Sequence, residues 1–192
     1  MSELSTQNQK YLELFGKETN LETIKNFIET GGNLHDYHIK SFSFAPYIHT
    51  TILHLICMYN LDYDIIRYCV EKGGNLNIVS EIIFNTETVT TTPFYMLCMV
   101  HYRTLTKKII KLCVKNGADL NTKHDGCSPL YWICNIANEN KSELSKILKY
   151  IGRHKLATVE TIKDLHKSIN EHLQYFITGT LVHENDNNYL IY

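Results

Sequence analysis

Thr51-Ile52-Leu53-His54, Thr92-Pro93-Phe94-Tyr95 and Ser128-Pro129-Leu130-Tyr131 each open an apolar stretch. The first two stretches close on matching tails, Gly73-Gly74-Asn75-Leu76-Asn77 and Gly117-Ala118-Asp119-Leu120-Asn121. Gly31-Gly32-Asn33-Leu34-His35 is an earlier, worn copy of the same tail. Self-similarity of this kind marks a stacked repeat protein, in which each unit buries its apolar face only against its neighbours. Such stacks serve binding more often than catalysis.

Within a unit the apolar residues keep helical spacing. From Thr51 to about Tyr59, Leu53, Leu55, Ile56 and Cys57 define a short helix. After the turn Asn60-Leu61-Asp62, a second helix carries Ile65, Ile66, Tyr68, Cys69 and Val70 and stops at Lys72-Gly73, where glycine supplies a left-handed cap. Phe94, Met96, Leu97 and Cys98, then Ile109, Ile110, Leu112, Cys113 and Val114, repeat the plan. The third unit has Leu130, Trp132, Ile133 and Cys134, then Leu144, Ile147, Leu148 and Ile151. A leading unit pairs Tyr11, Leu12, Leu14 and Phe15 with Leu21, Ile24, Phe27 and Ile28. The units are about 8–35, 51–77, 92–121 and 128–155, within a repeat region 1–157. From Thr158 the spacing of Val159, Ile162, Leu165, Ile169, Leu173 and Phe176 predicts one longer amphipathic helix within 158–178. A polar tail, 179–192, ends the chain.

The bulk numbers exclude several classes. The 192 residues are enough for a continuous core. A net charge of -1 and a pI of 6.8 argue against duplex nucleic acid, where a basic face supplies most of the affinity. No run of some 18 apolar residues spans a membrane. The start Met1-Ser2-Glu3-Leu4-Ser5 lacks the pattern of a secretory signal. A reducing compartment follows, with the six cysteines as thiols. Lysine outnumbers arginine 16 to 3 and alanine occurs four times, a bias toward A/T-rich codons that fits a large DNA virus, a protozoan or an intracellular bacterium.

The cysteines follow the repeat frame. Cys57, Cys98 and Cys134 lie six residues after the Thr or Ser that opens their unit, and Cys69 and Cys113 lie four before the tail glycine. These are equivalent small apolar positions, where a free cysteine acts as a buried hydrophobe. No Cys-x-x-Cys pair occurs, so no zinc site or other cofactor is expected. Cys127 stands alone in a turn as the most exposed thiol, with no evident catalytic partner.

Asp125-Gly126-Cys127-Ser128-Pro129-Leu130 and Gly117-Ala118-Asp119-Leu120-Asn121 resemble the ankyrin repeat family, over roughly residues 8 to 155. The resemblance implies an all-α solenoid of about four helix-turn-helix repeats with β-hairpin fingers, closed by a C-terminal capping helix. It also implies that His54 bonds the Thr51 hydroxyl and nearby backbone, a structural role. The tail glycines lie 42 and 44 residues apart, against about 33 in the family. The excess falls in the fingers. One is His35 to Thr50, with Tyr37, Phe42, Phe44 and Tyr47; the other is Ile78 to Thr91, with Phe84 in a strand-favouring run. The third, Thr122 to Cys127, is short. The long fingers are either a binding edge or tolerated insertions.

By position, the resemblance puts Met58, Tyr59, Met99, Val100, Asn135 and Ile136 on the binding groove. Methionine and tyrosine suit interfaces, and packing against a neighbouring helix is the alternative. The implied function is non-enzymatic: fingers and groove hold a protein partner and block or redirect it. The composition and a likeness to poxvirus-type ankyrin proteins point to a viral or pathogen protein acting on host signalling or innate immunity. It is expected in the host cytoplasm, with the nucleus left open. The helix from Val159 to Ile177 lacks the Leu-Pro pattern of an F-box-like segment. A monomer is expected, or a homo-oligomer through that helix; the rival readings are a self-assembling subunit and a cysteine-dependent enzyme.

Overall fold

The computed structural model describes residues 19–42, 45–84, 87–135 and 140–168. In chain order these form α1 (Leu21–Glu29), β1 (Tyr37–Phe42), β2 (Ala45–Thr51), α2 (Ile52–Tyr59), α3 (Tyr63–Glu71), β3 (Ser80–Phe84), β4 (Glu87–Thr91), α4 (Pro93–His101), α5 (Lys107–Lys115), α6 (Pro129–Cys134), α7 (Lys141–Arg153) and α8 (Val159–Ser168).

Each helix begins where a short polar side chain can accept an otherwise unpaired backbone N–H. The oxygens of Thr51, Thr92 and Ser128 accept from the N–H of His54, Tyr95 and Tyr131, at 3.4, 3.1 and 3.3 Å. Asn20, Asp62, Thr106 and Asn140 do the same for α1, α3, α5 and α7. The ends of α1, α3 and α5 also repeat. The N–H groups of Gly32, Gly74 and Ala118 reach back to the carbonyls of Phe27, Cys69 and Cys113 at 2.8, 2.9 and 3.0 Å. That turn needs a left-handed residue, and Gly31, Gly73 and Gly117 supply it at φ 91, 87 and 87. The same turn closes α7 without a glycine. Lys155 takes φ 51, and Leu156 N–H donates to Ile151 O at 3.1 Å.

The tails explain their own sequence. Leu34, Leu76 and Leu120 are buried, while their carbonyls accept from Leu53, Phe94 and Leu130 N–H at 3.0, 3.2 and 3.4 Å. Asn33, Asn75 and Asp119 each fold a side-chain oxygen onto the N–H two residues on, at 3.0, 2.9 and 2.9 Å. The last residue of each tail then bridges to the next unit. His35 Nε2 accepts from Asn75 N–H at 2.8 Å, Asn77 Oδ1 from Asp119 N–H at 2.9 Å and Asn121 Oδ1 from Thr158 N–H at 2.8 Å. Asn77 and Asn121 also donate Nδ2–H to Gly117 O and Leu156 O, at 2.7 and 3.0 Å. A ladder of polar contacts therefore ties four successive units.

Helices α2, α4 and α6 pack side by side in one row; α1, α3, α5 and α7 form a second row behind them. The first row is apolar on all sides, as a helix enclosed by neighbours must be: every residue from Ile52 to Cys57 is buried, as is every residue from Pro93 to Cys98. The second row is amphipathic, burying Ile65, Ile66 and Cys69 on α3, Ile109, Ile110 and Cys113 on α5, and Ile147, Leu148 and Ile151 on α7.

The expected all-α solenoid is overturned. Alongside its eight described helices the chain has a four-stranded antiparallel sheet in the order β1-β2-β3-β4, so the fold is mixed helix and sheet. The two long fingers are not separate projections. The first folds as β1–β2, with Tyr37 opposite Thr51 and an irregularity between Lys40 and Phe42; the second folds as β3–β4, with Ser80 opposite Thr91. They then pair through β2 and β3, Tyr47 opposite Ile83, Ile48 opposite Ile82 and His49 opposite Glu81. Backbone donors along an isolated hairpin edge stay unpaired, and stacking brings two such edges within reach. The short third finger makes only a His124–Cys127 bridge. The helix expected at residues 11–15, the expected extension of the C-terminal helix past Ser168 and the tail 179–192 lie outside the described residues.

Candidate protein-binding surface

Beyond Cys57, Cys98 and Cys134 the first-row helices reach their C-terminal ends and the enclosure opens. Met58, Met99 and Asn135 occupy equivalent positions on three neighbouring helices and are half-buried. Tyr59 is half-buried and packs on the core cluster. Val100 is 44% exposed. Asn135 donates Nδ2–H to Tyr131 O at 3.0 Å, which fixes its amide at the end of α6. Five of the groove candidates therefore stand at the C-terminal ends of three neighbouring helices, and the sixth, Ile136, lies outside the described residues.

The finger candidates occupy sheet register positions. Tyr37 pairs with Thr51, Phe42 with Ala45, Tyr47 with Ile83, and Phe84 with Glu87. Phe44 lies outside the described residues.

Two buried histidines join the sheet to the helices. His54 is 0% exposed. Its Nδ1 accepts from the Thr51 hydroxyl at 2.8 Å, and Nε2–H donates to Thr91 O in β4 at 3.4 Å. Both bonds suit a neutral ring. Burial is the main force lowering its pKa to about 4, against the raising effect of the Thr91 bond. His124 was not singled out by the repeat pattern. It is buried, its Nδ1 faces the Thr90 hydroxyl at 3.4 Å, and burial lowers its pKa as well.

Sequence reasoning also missed an aromatic cluster between α4 and α6. The Tyr95 ring lies 4.9 Å from the His124 ring and 6.5 Å, edge-on, from Trp132. Trp132 is flanked by Tyr131 at 5.2 Å and Tyr102 at 6.3 Å. The Arg103 guanidinium sits 5.4 Å over Tyr102 and its Nε donates to the Tyr102 hydroxyl at 2.9 Å. The available signal was tyrosine, at Tyr95 and Tyr131, where the equivalent position in the earlier unit holds His54.

Burial holds the thiols protonated. Burial pushes Cys69 and Cys113 up to about 12 and raises Cys57, Cys98 and Cys134 strongly. Cys127 is half-buried and its backbone pairs with that of His124, at 2.8 and 3.1 Å. Burial and the Asp125 carboxylate raise this thiol while burial lowers the imidazole. Both shifts oppose a thiolate–imidazolium pair. Among the described residues no group of three or more His, Cys, Asp or Glu side chains could hold a metal ion, and no helix is long and apolar enough to cross a membrane. Comparison with family models, with curated proteins and with solved structures finds no match for the chain.

Proposed function

We propose that this chain is an ankyrin-like, non-enzymatic protein-binding module. Its contact surfaces are the band from Met58 to Asn135, at the C-terminal ends of the first-row helices, and the finger sheet at their N-terminal ends. The observation that carries the reading is the opening of the first row: after six consecutive buried residues on both α2 and α4, the next positions surface together as methionine, tyrosine and valine. Adaptable and aromatic side chains at the rim of a rigid stack suit recognition of a folded partner. The raised thiols and neutral histidines support binding over cysteine chemistry. The A/T-rich composition extends the proposal to a viral or pathogen protein acting on host signalling from the host cytoplasm.

The test is affinity capture from host-cell cytosol by the full chain, beside a variant combining Tyr59→Ala, Met99→Ala and a shortened 42–47 turn. A protein retained by the parent and lost from the variant supports the reading and identifies the partner. Identical captures from both defeat it.

A further inference from the structure

The capping turns set the four second-row helices in a common register. Left-handed Gly31, Gly73, Gly117 and Lys155 mark the same position in each, as do the turn acceptors Phe27, Cys69, Cys113 and Ile151. Counting back two, six and nine residues from the left-handed position reaches three outward positions per helix. On α1 they are Glu22, Lys25 and Glu29; on α3 they are Asp64, Arg67 and Glu71. On α5 they are Lys108, Lys111 and Lys115, and on α7 Lys146, Lys149 and Arg153. Apart from a half-buried Lys25, all twelve are exposed. The row thus reads minus-plus-minus twice, then plus-plus-plus twice.

In the first half four acids outnumber two bases, and Arg67 pairs with Asp64 at 3.1 Å. In the second half the only acid on either helix is Glu143. It is already engaged, accepting Lys107 N–H at 2.8 Å and Lys146 Nζ at 3.0 Å. Lys108 turns toward α3, its Nζ 3.6 Å from the Tyr63 ring centroid. Six basic residues against one acid therefore lie in two parallel stripes, each about 10 Å long, on neighbouring helices with axes about 8–10 Å apart. Lys146 and Arg153 have contacts of their own, and Lys111, Lys115 and Lys149 are exposed between them. The near-zero net charge of the whole chain hides this face.

We propose that the α5–α7 face is a second docking surface, whose occupant is a short acidic segment of a partner protein. It lies on the opposite helix row from the Met58–Asn135 band and does not depend on that proposal. Charge complementarity specifies the sign of the partner, and the stripe length sets its extent. Asp64 and Glu71 on α3 flank one side, and Glu160 opens α8, the element after α7. A seven-residue acidic helix matches a stripe in length. The cations are almost all lysines with no interleaved aromatic on the outward positions, which disfavours a stacked single-stranded nucleic acid.

Fluorescence anisotropy of the full chain with a fluorescein-labelled oligo-glutamate peptide tests this at low and physiological salt. Lys111→Glu with Lys149→Glu reverses two charges on the face, and Lys25→Glu with Lys72→Glu makes the same net change on the other half. The expected result is binding that weakens with salt and falls by at least about tenfold in the first variant. The second variant, and Tyr59→Ala with Met99→Ala, should change it less than about twofold. Lys111→Gln with Lys149→Gln, checked by circular dichroism, should weaken binding while the fold persists. No binding at low salt, or equal loss in both charge-reversal variants, overturns the proposal. So does tighter binding of a duplex DNA oligonucleotide or of phosphatidylserine vesicles than of the peptide. A dimer in sedimentation velocity that dissolves on Lys111→Glu with Lys149→Glu also overturns it, by assigning the face to a second copy.

Discussion

The tail ladder and the finger sheet run along the same stack, yet one repeats and the other does not. Along the ladder, His35, Asn77 and Asn121 each accept from the unit that follows, with nearly the same geometry. In the sheet, two long fingers pair with one another and the third makes a single bridge. The difference shows where a stack enforces sameness. A tail meets an identical neighbour and must present the same groups to it. A finger needs only to satisfy its own backbone, which it does by any pairing within reach.

The sharpest way to break this comparison is in the packed rows that both regions share. Leu97 is 0% exposed between α2 and α6, and Leu97→Ala should cost about 2–5 kcal/mol. Urea denaturation should register it as a lower midpoint with an unchanged slope.

Acid should separate sheet from ladder. The folded pKa of His54, about 4, lies below its ordinary 6.5, so the unfolded chain binds the proton more readily. This group's contribution is intact above pH 6.5 and declines as pH falls toward 4, by about 3 kcal/mol in all. His124 acts in the same direction. Because His54 bonds Thr91 and His124 faces Thr90, hydrogen exchange near pH 4.5 should rise first in β3–β4 and only later in α4. Simultaneous loss in both would show that sheet and rows are one cooperative unit.

Smaller changes address the ladder alone. Asn121→Ala removes the acceptor for Thr158 and the donor to Leu156, and should lower stability by about 1–2 kcal/mol, read by thermal unfolding. In the turn that closes α7, Lys155→Gly relieves a left-handed conformation that disfavours a side chain. It should raise stability by about 0.5–1 kcal/mol. A loss instead would show that the lysine stem packs usefully on α7.

The equivalence of Met58, Met99 and Asn135 was legible from register alone, since they stand at fixed distances from their capping Thr51, Thr92 and Ser128. The aromatic cluster was not, because Tyr95, Tyr102 and Trp132 meet only where α4 packs on α6. His124 was missed for the same reason: its burial comes from Tyr95 and β4, both distant in sequence.

What the chain's residues determine by themselves is local: helix starts at Thr51, Thr92 and Ser128, left-handed stops at Gly73 and Gly117, and the apolar faces between them. Each depends on groups a few residues apart. The tertiary structure decided what depends on neighbours in space. It joined β2 to β3, so that an expected all-α stack carries a sheet. It also showed that Lys155 closes α7 in a glycine's place. Strand pairing between units and a left-handed lysine are set by what lies across from them, and no local pattern records that.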